Sequence, residues 1–150
     1  MKKIILIFLV LCGIQLSAQT AELEAFKDMF NSEKKIALGE FLDLDATQAM
    51  VFWEIYDDYS EERKEVANQR MALLKEYVAE YNGITNDQAD DIVEESFSIR
   101  AKSDKIQKKY YKKIKKELGA VTASKFVQFE RYVQTSIDVQ LQSALPLIGQ

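Results

Sequence analysis

The sequence predicts an all-α fold of four helices, two of them long. Only 5 glycines and 1 proline interrupt the 150 residues, so turns are few. Apolar residues recur at steps of three and four through three long segments, which is the spacing of one helix face. No segment alternates apolar and polar residues with a period of two, as a half-buried strand would. The length favours one domain, and the long helices predict an extended helical hairpin.

The helix boundaries follow from the residues that break helices. Asn82-Gly83 and Gly119 predict helix stops because asparagine and glycine tolerate the left-handed backbone conformation, and Pro146 closes the last helix. The predicted helices cover residues 21–39, 46–81, 86–118 and 123–145. Helices of more than 30 residues span about 50 Å. Their shared apolar face exceeds what one chain can cover, so we expect a homodimer.

The first 18 residues have the parts of a secretory signal peptide. Two lysines precede an apolar run too short to span a bilayer, and small residues lead up to a cleavage point after Ala18. The alternatives are a buried N-terminal helix and a lipoprotein anchored through Cys12, although the bulky Leu11 disfavours lipidation. We expect cleavage to leave one domain over residues 19–150. In a cell with an outer membrane, that domain would be periplasmic.

The mature composition excludes several classes of function. Cleavage removes the single cysteine, and the chain has no histidine, so disulfides, thiol catalysis and Cys/His zinc sites are not expected. Cleavage also removes two of the 20 basic residues and none of the 24 acidic ones, which leaves a net charge of −6. So acidic a chain is a poor candidate for binding nucleic acid, which depends on neutralising phosphates.

No enzyme or cofactor site is expected either. Asp57, Glu61 and Glu65 lie four residues apart on one helix face and offer oxygen ligands suited to Ca²⁺ or Mg²⁺. Nothing in the sequence supplies the looped cage of a tight calcium site, and no nucleophile motif accompanies these carboxylates. We therefore predict no catalytic residues, no metal and no cofactor.

Three short stretches have the pattern of a helix start: LDATQ at 44–48, ITNDQ at 84–88 and VTASK at 121–125. In the first, Leu44 is placed as a hydrophobic staple, Asp45 as the N-cap and Gln48 as the residue that completes a capping box. The second repeats this arrangement with Thr85 as the cap and Gln88 at the third helical position.

In the third stretch, Val121 is the expected staple and Thr122 the expected cap. Lys125 lacks an acceptor, so the reciprocal bond of the capping box is missing here. A purely structural role as helix caps is the simplest interpretation of all three stretches.

The same stretches carry a family resemblance. An exported, all-helical chain of this size with Leu-Thr-x-x-Gln-like helix starts resembles the Spy/CpxP family of periplasmic stress proteins. In that family one motif opens a long helix and another opens the last helix, where residues 44–48 and 121–125 stand here. Asp45 replaces the first motif's threonine, whereas Val121 and Lys125 replace the last motif's leucine and glutamine.

A narrower resemblance covers the start of the second helix. The run Leu42-Asp43-Leu44, followed by Ala49, Phe52-Trp53 and Tyr56, is similar to small exported proteins of Bacteroidetes-type bacteria. These are often labelled sensors of ECF-type sigma factors, and many have proline where this chain has Glu54. The two resemblances together imply a curved, dimeric helical cradle that binds partly unfolded clients without ATP, or binds a membrane stress sensor.

Two clusters are candidates for the surface that binds a client or partner. They combine aromatic residues of the second helix with the lysine-rich half of the third: Phe52, Trp53, Tyr56, Lys105, Ile106, Lys109, Tyr110, Lys112 and Lys113. The alternative for the aromatic residues is a core or dimer contact. The alternative for the lysines is ion pairing with acids of the second helix, with Asp58 facing Lys109 and Glu65 facing Lys102 in an antiparallel hairpin.

Three functions fit these observations. The first is an exported, ATP-independent chaperone or envelope-stress adaptor that binds clients on an apolar and basic helical face. The second is a regulatory partner of a membrane stress sensor or anti-sigma factor. The third is a structural helical dimer without clients.

Overall fold

The computed structural model describes residues 19–146, with side chains from residue 29 onward. Over this range the chain forms three helices, α1 (Gln19–Leu42), α2 (Ala46–Glu80) and α3 (Asn86–Ala144), and no strand. The all-α prediction is confirmed. The predicted signal peptide, with Cys12, lies outside the described residues.

The prediction of four helices is wrong in its count. The expected third and fourth helices are one helical element, Asn86–Ala144, in which Gly119 is the only residue with non-helical dihedral angles. Gly119 has φ 84° and ψ 167°, a conformation that residues with a Cβ atom rarely adopt. One glycine therefore breaks the helix without a linker, and helical structure resumes directly after it.

The α3 helix folds back on itself at Gly119. The adjacent residues Gln69 and Arg70 contact Lys102 and Asp138, respectively, with polar distances of 3.1 and 2.7 Å. On a straight helix, Lys102 and Asp138 would be about 54 Å apart. Residues 86–118, the first arm, therefore run antiparallel to α2, whereas residues 120–144, the second arm, run parallel to it.

The core of this three-helix arrangement uses the apolar positions that the sequence spacing predicts. The buried residues of α2 are Phe52, Tyr56, Tyr59, Val66 and Leu73. Those of the first arm are Ile99, Ile106, Tyr110 and Ile114, and the apolar ones of the second arm are Ala123, Phe126 and Phe129. Burying such side chains stabilises the fold by about 1.5–3 kcal/mol each.

The chain divides into two compact units after Leu44, with α1 in one and α2 and α3 in the other. The α1 helix continues past the predicted end at Gly39, and the N–H of Asp43 donates to the Gly39 carbonyl oxygen at 3.2 Å. Asp43 has φ 52°, so an aspartate rather than a glycine makes the left-handed stop. Both Leu38 and Leu42 are buried.

The turn between α2 and α3 lies where it was predicted but has a different geometry. Neither Asn82 nor Gly83 has a positive φ; in the described part of the chain only Asp43 and Gly119 do. Instead, the N–H of Gly83 donates to the carbonyl oxygen of Glu80 at 3.0 Å, which closes a tight turn. The left-handed stop expected at this turn is therefore wrong, although α2 ends within one residue of its predicted end.

Candidate partner-binding surfaces

The first two cap predictions are confirmed. Asp45 Oδ1 accepts from the Gln48 N–H at 2.9 Å, and Gln48 Oε1 accepts from the Asp45 N–H at 3.4 Å. Thr85 and Gln88 exchange the same pair of bonds at the start of α3. Gln88 also donates to Glu80 at 2.7 Å, so this cap ties the end of α2 to the start of α3. These side chains satisfy backbone N–H groups at the two helix starts. Leu44, next to Asp45, is half-buried.

The third cap prediction is wrong. Val121 and Thr122 lie inside α3, and the backbone break is three residues earlier, at Gly119. Val121 is 74% exposed and therefore does not act as a hydrophobic staple. Lys125, half-buried within the second arm, is likewise an interior helical residue. The Val-Thr-x-x-Lys pattern fails because Gly119 already provides the non-helical residue that a start at Thr122 would need.

The aromatic cluster at the start of α2 is core rather than a partner surface. Phe52 is 0% exposed and Tyr56 is 2% exposed. The second arm covers them, with the Phe126 ring centroid 6.4 Å from Phe52 and 6.3 Å from Tyr56. Trp53 is half-buried and packs edge-on against both rings. Phe52 and Tyr56 are therefore corrected from candidate partner residues to core residues.

A buried carboxylate on the second arm was not predicted. Glu130 is the one buried polar or charged residue among the described side chains. One of its oxygens accepts from the Tyr56 hydroxyl and the other from the Tyr59 hydroxyl, both at 3.0 Å. Its place between Phe126 and Val133 in the apolar repeat was the available signal, since an acid at a core position needs buried donors.

The two tyrosines respond to this environment. The pKa values of Tyr56 and Tyr59 are both raised, mainly because the side chains are buried and secondly because the Glu130 carboxylate is nearby. The Arg63 guanidinium acts in the opposite direction on the pKa of Tyr59. Both phenols therefore stay protonated and keep donating to Glu130 at neutral pH, which fixes the second arm against α2.

Polar contacts continue along the same seam. Arg63 donates to Gln134 at 3.1 Å and also to Ser103, so it touches both arms of α3. Gln134 donates to Asp138 at 2.8 Å, and Asp138 pairs with Arg70 at 2.7 Å. These side chains connect α2 to both arms of α3 and set the register of the three helical segments.

The lysine-rich part of α3 is ion-paired along one edge. Lys109 contacts Glu62 at 2.6 Å, and Lys113 contacts Asp58 at 3.6 Å. The predicted register is therefore wrong by one helical turn, because Asp58 faces Lys113 instead of Lys109. Lys102 donates to Gln69 and not to Glu65. The general prediction of ion pairs across the hairpin is confirmed.

Tyr110 lies beneath this edge. It is buried, and the ammonium groups of Lys109 and Lys113 lie 5.1 and 4.8 Å from its ring centroid. Burial, followed by the Glu62 carboxylate, raises the pKa of Tyr110 to about 12. Hydrogen bonding to Lys109 lowers the pKa of Glu62. Tyr110 is therefore corrected from a candidate partner residue to a core residue that supports the ion pairs.

A shallow groove runs between α2 and the first arm. Val66 and Ile106 form its floor, and its walls include Glu62 and Gln69 on one side and Lys102 and Lys109 on the other. Ile106 is 8% exposed, so it contributes a floor rather than a protruding contact. Lys105 also lines the groove, and of the opposite charges on its two walls only Lys109 and Glu62 form an ion pair across it in the described part of the chain.

A second row of apolar side chains lies elsewhere on α2. It consists of the exposed Ala67, Met71 and Val78 and the half-buried Leu74, spaced by four, three and four residues, and is called the α2 stripe below. Met71 is 39% exposed and Val78 is 47% exposed. Sequence reasoning missed it because the stronger apolar repeat of α2 belongs to the buried face beside it. The signal was present, since this spacing is itself that of a helix face.

The comparisons with known proteins add no relative. No protein-family model, curated protein or solved structure matches this chain. In the described part of the chain, no cluster of acidic, histidine or cysteine side chains has the arrangement of a metal site. None of the described helices is long and apolar enough to span a membrane.

Proposed function

We propose that this chain is an exported, ATP-independent chaperone or envelope-stress adaptor that binds partly unfolded proteins through the α2 stripe. The observation that carries the proposal is the exposure of Met71 and Val78 on one face of α2. Exposed apolar side chains at helical spacing are a typical surface for an apolar segment of another protein.

The charges beside the α2 stripe fit such a partner. Lys64 and Lys75 are exposed and lie three or four residues from members of the stripe, so they flank it on the helix surface. A lysine flank favours segments that combine apolar and acidic residues. A methionine in the stripe adapts to differently shaped side chains, which suits weak binding to many sequences.

The finer parts of the proposal come from the sequence. The signal peptide predicted from the first 18 residues supports a periplasmic location. The resemblance of the helix start at residues 44–48 to Spy/CpxP-like proteins supports a homodimeric cradle, although the stretch at residues 121–125 does not start a helix. The client surface differs from the one expected from sequence, because Phe52, Tyr56, Ile106 and Tyr110 are buried in the chain's own core. The lysines of the expected surface remain exposed.

An anti-aggregation assay tests the proposal. Residues 19–150 are added without ATP to a reduced, aggregating model substrate, and light scattering is followed. The variant M71Q/V78Q keeps good helix formers but removes apolar contact area, and we expect it to lose most of the suppression. The control M50Q/V121Q changes side chains that are 70% and 74% exposed but lie outside the stripe, and it should retain the suppression.

Three outcomes would each have a clear meaning. Equal suppression by the two variants would refute the assignment of the α2 stripe. No suppression by the wild-type protein would refute the chaperone function. In that case, loss of envelope-stress signalling on deletion would support the regulatory alternative, with a membrane sensor or anti-sigma factor as the partner. Circular dichroism of each variant establishes that helicity is unchanged.

A further inference from the structure

The solvent-facing side of the first arm of α3 carries charges in an ordered sequence. It begins with three acids, Asp87, Asp90 and Glu94. Phe97 and Ala101 follow in the middle. It ends with four lysines, Lys105, Lys108, Lys112 and Lys115. Successive members are three or four residues apart and all are exposed, so they form one continuous face, called the outward stripe below.

The outward stripe is unpaired within its own chain. The ion pairs of the first arm involve Lys109, Lys113 and Lys116, none of which is a member of the stripe. Within residues 29–146, no member of the outward stripe has an ion pair or a side-chain hydrogen bond. Its lysines repel one another at spacings of three and four, and none of them forms an ion pair within the described part of its own chain.

The order of the charges is complementary to itself about Ala101. In two antiparallel copies with Ala101 facing Ala101, residues equally distant from Ala101 face each other. The facing pairs are Asp87 with Lys115, Asp90 with Lys112, Glu94 with Lys108, and Phe97 with Lys105. Every acid of the stripe thus meets a lysine of the second copy, and two-fold symmetry repeats each pair.

We propose that the outward stripe is the interface of an antiparallel homodimer, with its two-fold axis at Ala101. The small side chain of Ala101 allows the two helices to approach at the axis. Phe97 is 59% exposed and packs there against the aliphatic stem of Lys105 from the second copy. The inference specifies the dimer of the proposed function, and it holds whether or not that dimer binds clients.

A second copy fits this face better than a client does. An acidic client would be attracted by the lysine half but repelled by Asp87, Asp90 and Glu94. A basic client would meet the reverse problem. A partner must present lysines and acids in the opposite order over about 42 Å of helix, and the antiparallel copy of this chain does so. The α2 stripe lies on another helix and remains a separate surface.

The interface should be sensitive to salt. Its pairs are charged side chains at the protein surface, and salt screens such interactions over about 10 Å at 0.1 M. The apolar contribution comes mainly from Phe97, so charge order rather than buried area determines the partner and the register. We expect dimers at low ionic strength and dissociation as salt is added.

Charge exchange between two variants tests the interface. The variants K108E/K112E and D90K/E94K each place like charges against each other in a homodimer, and each change is repeated by symmetry. We expect the dissociation constant of either variant to rise by on the order of 100-fold. An equimolar mixture should restore the dimer, because each new glutamate then faces a new lysine. Sedimentation velocity at low salt measures the masses.

The control is K64E/K75E, which changes the net charge by the same amount as K108E/K112E but uses exposed lysines of α2. It should leave the dimer mass unchanged. The interface is overturned if wild-type protein is monomeric at low salt, if K108E/K112E still forms the dimer, or if the mixture stays monomeric. Suppression of aggregation is measured separately, so failure of the chaperone proposal does not affect this result.

Discussion

Replacing Gly119 by alanine should destabilise the fold through backbone strain alone. A Cβ atom at this position would meet nothing within 4 Å, so no steric clash is added. The φ of 84° and ψ of 167° lie in a region that is essentially restricted to glycine. Holding alanine there costs about 1–3 kcal/mol, and the lower entropy of the unfolded chain offsets about 0.4–1 kcal/mol of this.

Gly83 provides the matched control. A Cβ atom there also meets nothing within 4 Å, but the φ of Gly83 is not positive. Gly83→Ala therefore gains the entropy benefit without the strain. The difference between the two variants isolates the strain and should be about 1–3 kcal/mol in the free energy of unfolding.

Urea unfolding followed by circular dichroism measures this difference. Equal midpoints for Gly119→Ala and Gly83→Ala would refute the assignment of Gly119 as a strained reversal. Light scattering on the same samples tests for a second response. If alanine favours a straight α3, the second arm will pack on another molecule, and Gly119→Ala will gain mass by domain swapping.

Three further predictions address the core, the caps and the pH dependence. Glu130→Ala should lower the free energy of unfolding, measured in urea, by about 2–4 kcal/mol because two buried hydroxyls lose their acceptor. The loss should be smaller in a Tyr59→Phe background, and an unchanged loss would contradict the hydrogen bond between Tyr59 and Glu130. Asp45→Ala should cost about 1 kcal/mol, whereas Thr122→Ala should cost less than about 0.5 kcal/mol by the same assay; equal losses would contradict the cap assignments. The pKa of Tyr110 is raised to about 12, so its contribution to stability is complete below pH 10 and is lost as the pH rises through 12; an ultraviolet titration that shows every tyrosine ionising near pH 10 would contradict this.

Much of the fold was predictable because helices depend on interactions within a few residues. The start of α2 at Ala46 and of α3 at Asn86 follows from the capping boxes of Asp45 and Thr85, whose partners lie three residues away. The same locality explains one error. The Val-Thr-x-x-Lys stretch has the spacing of a cap, but Gly119 had already broken the helix three residues earlier.

The candidate surfaces were less predictable because helical spacing identifies an apolar face but not what covers it. Phe52 and Tyr56 looked suitable for a partner until the second arm was seen to cover them. The α2 stripe has a weaker apolar repeat than the buried face of α2. In the described unit its Met71 and Val78 nevertheless stay more exposed than Phe52 and Tyr56. Exposure is decided by contacts between residues about 70 positions apart, such as Phe52 with Phe126.

The sequence by itself determined the all-α class, the capping boxes at Asp45 and Thr85, most of the apolar core and the order of charges along α3. These properties depend on neighbours one to four residues away, so they can be read along the chain. Only the tertiary structure decided that α3 reverses at Gly119, that Asp58 faces Lys113, and that Glu130 is buried beneath two tyrosines. A shift of one helical turn between two helices leaves the pattern of each unchanged, and close packing between distant segments is what selects the observed register.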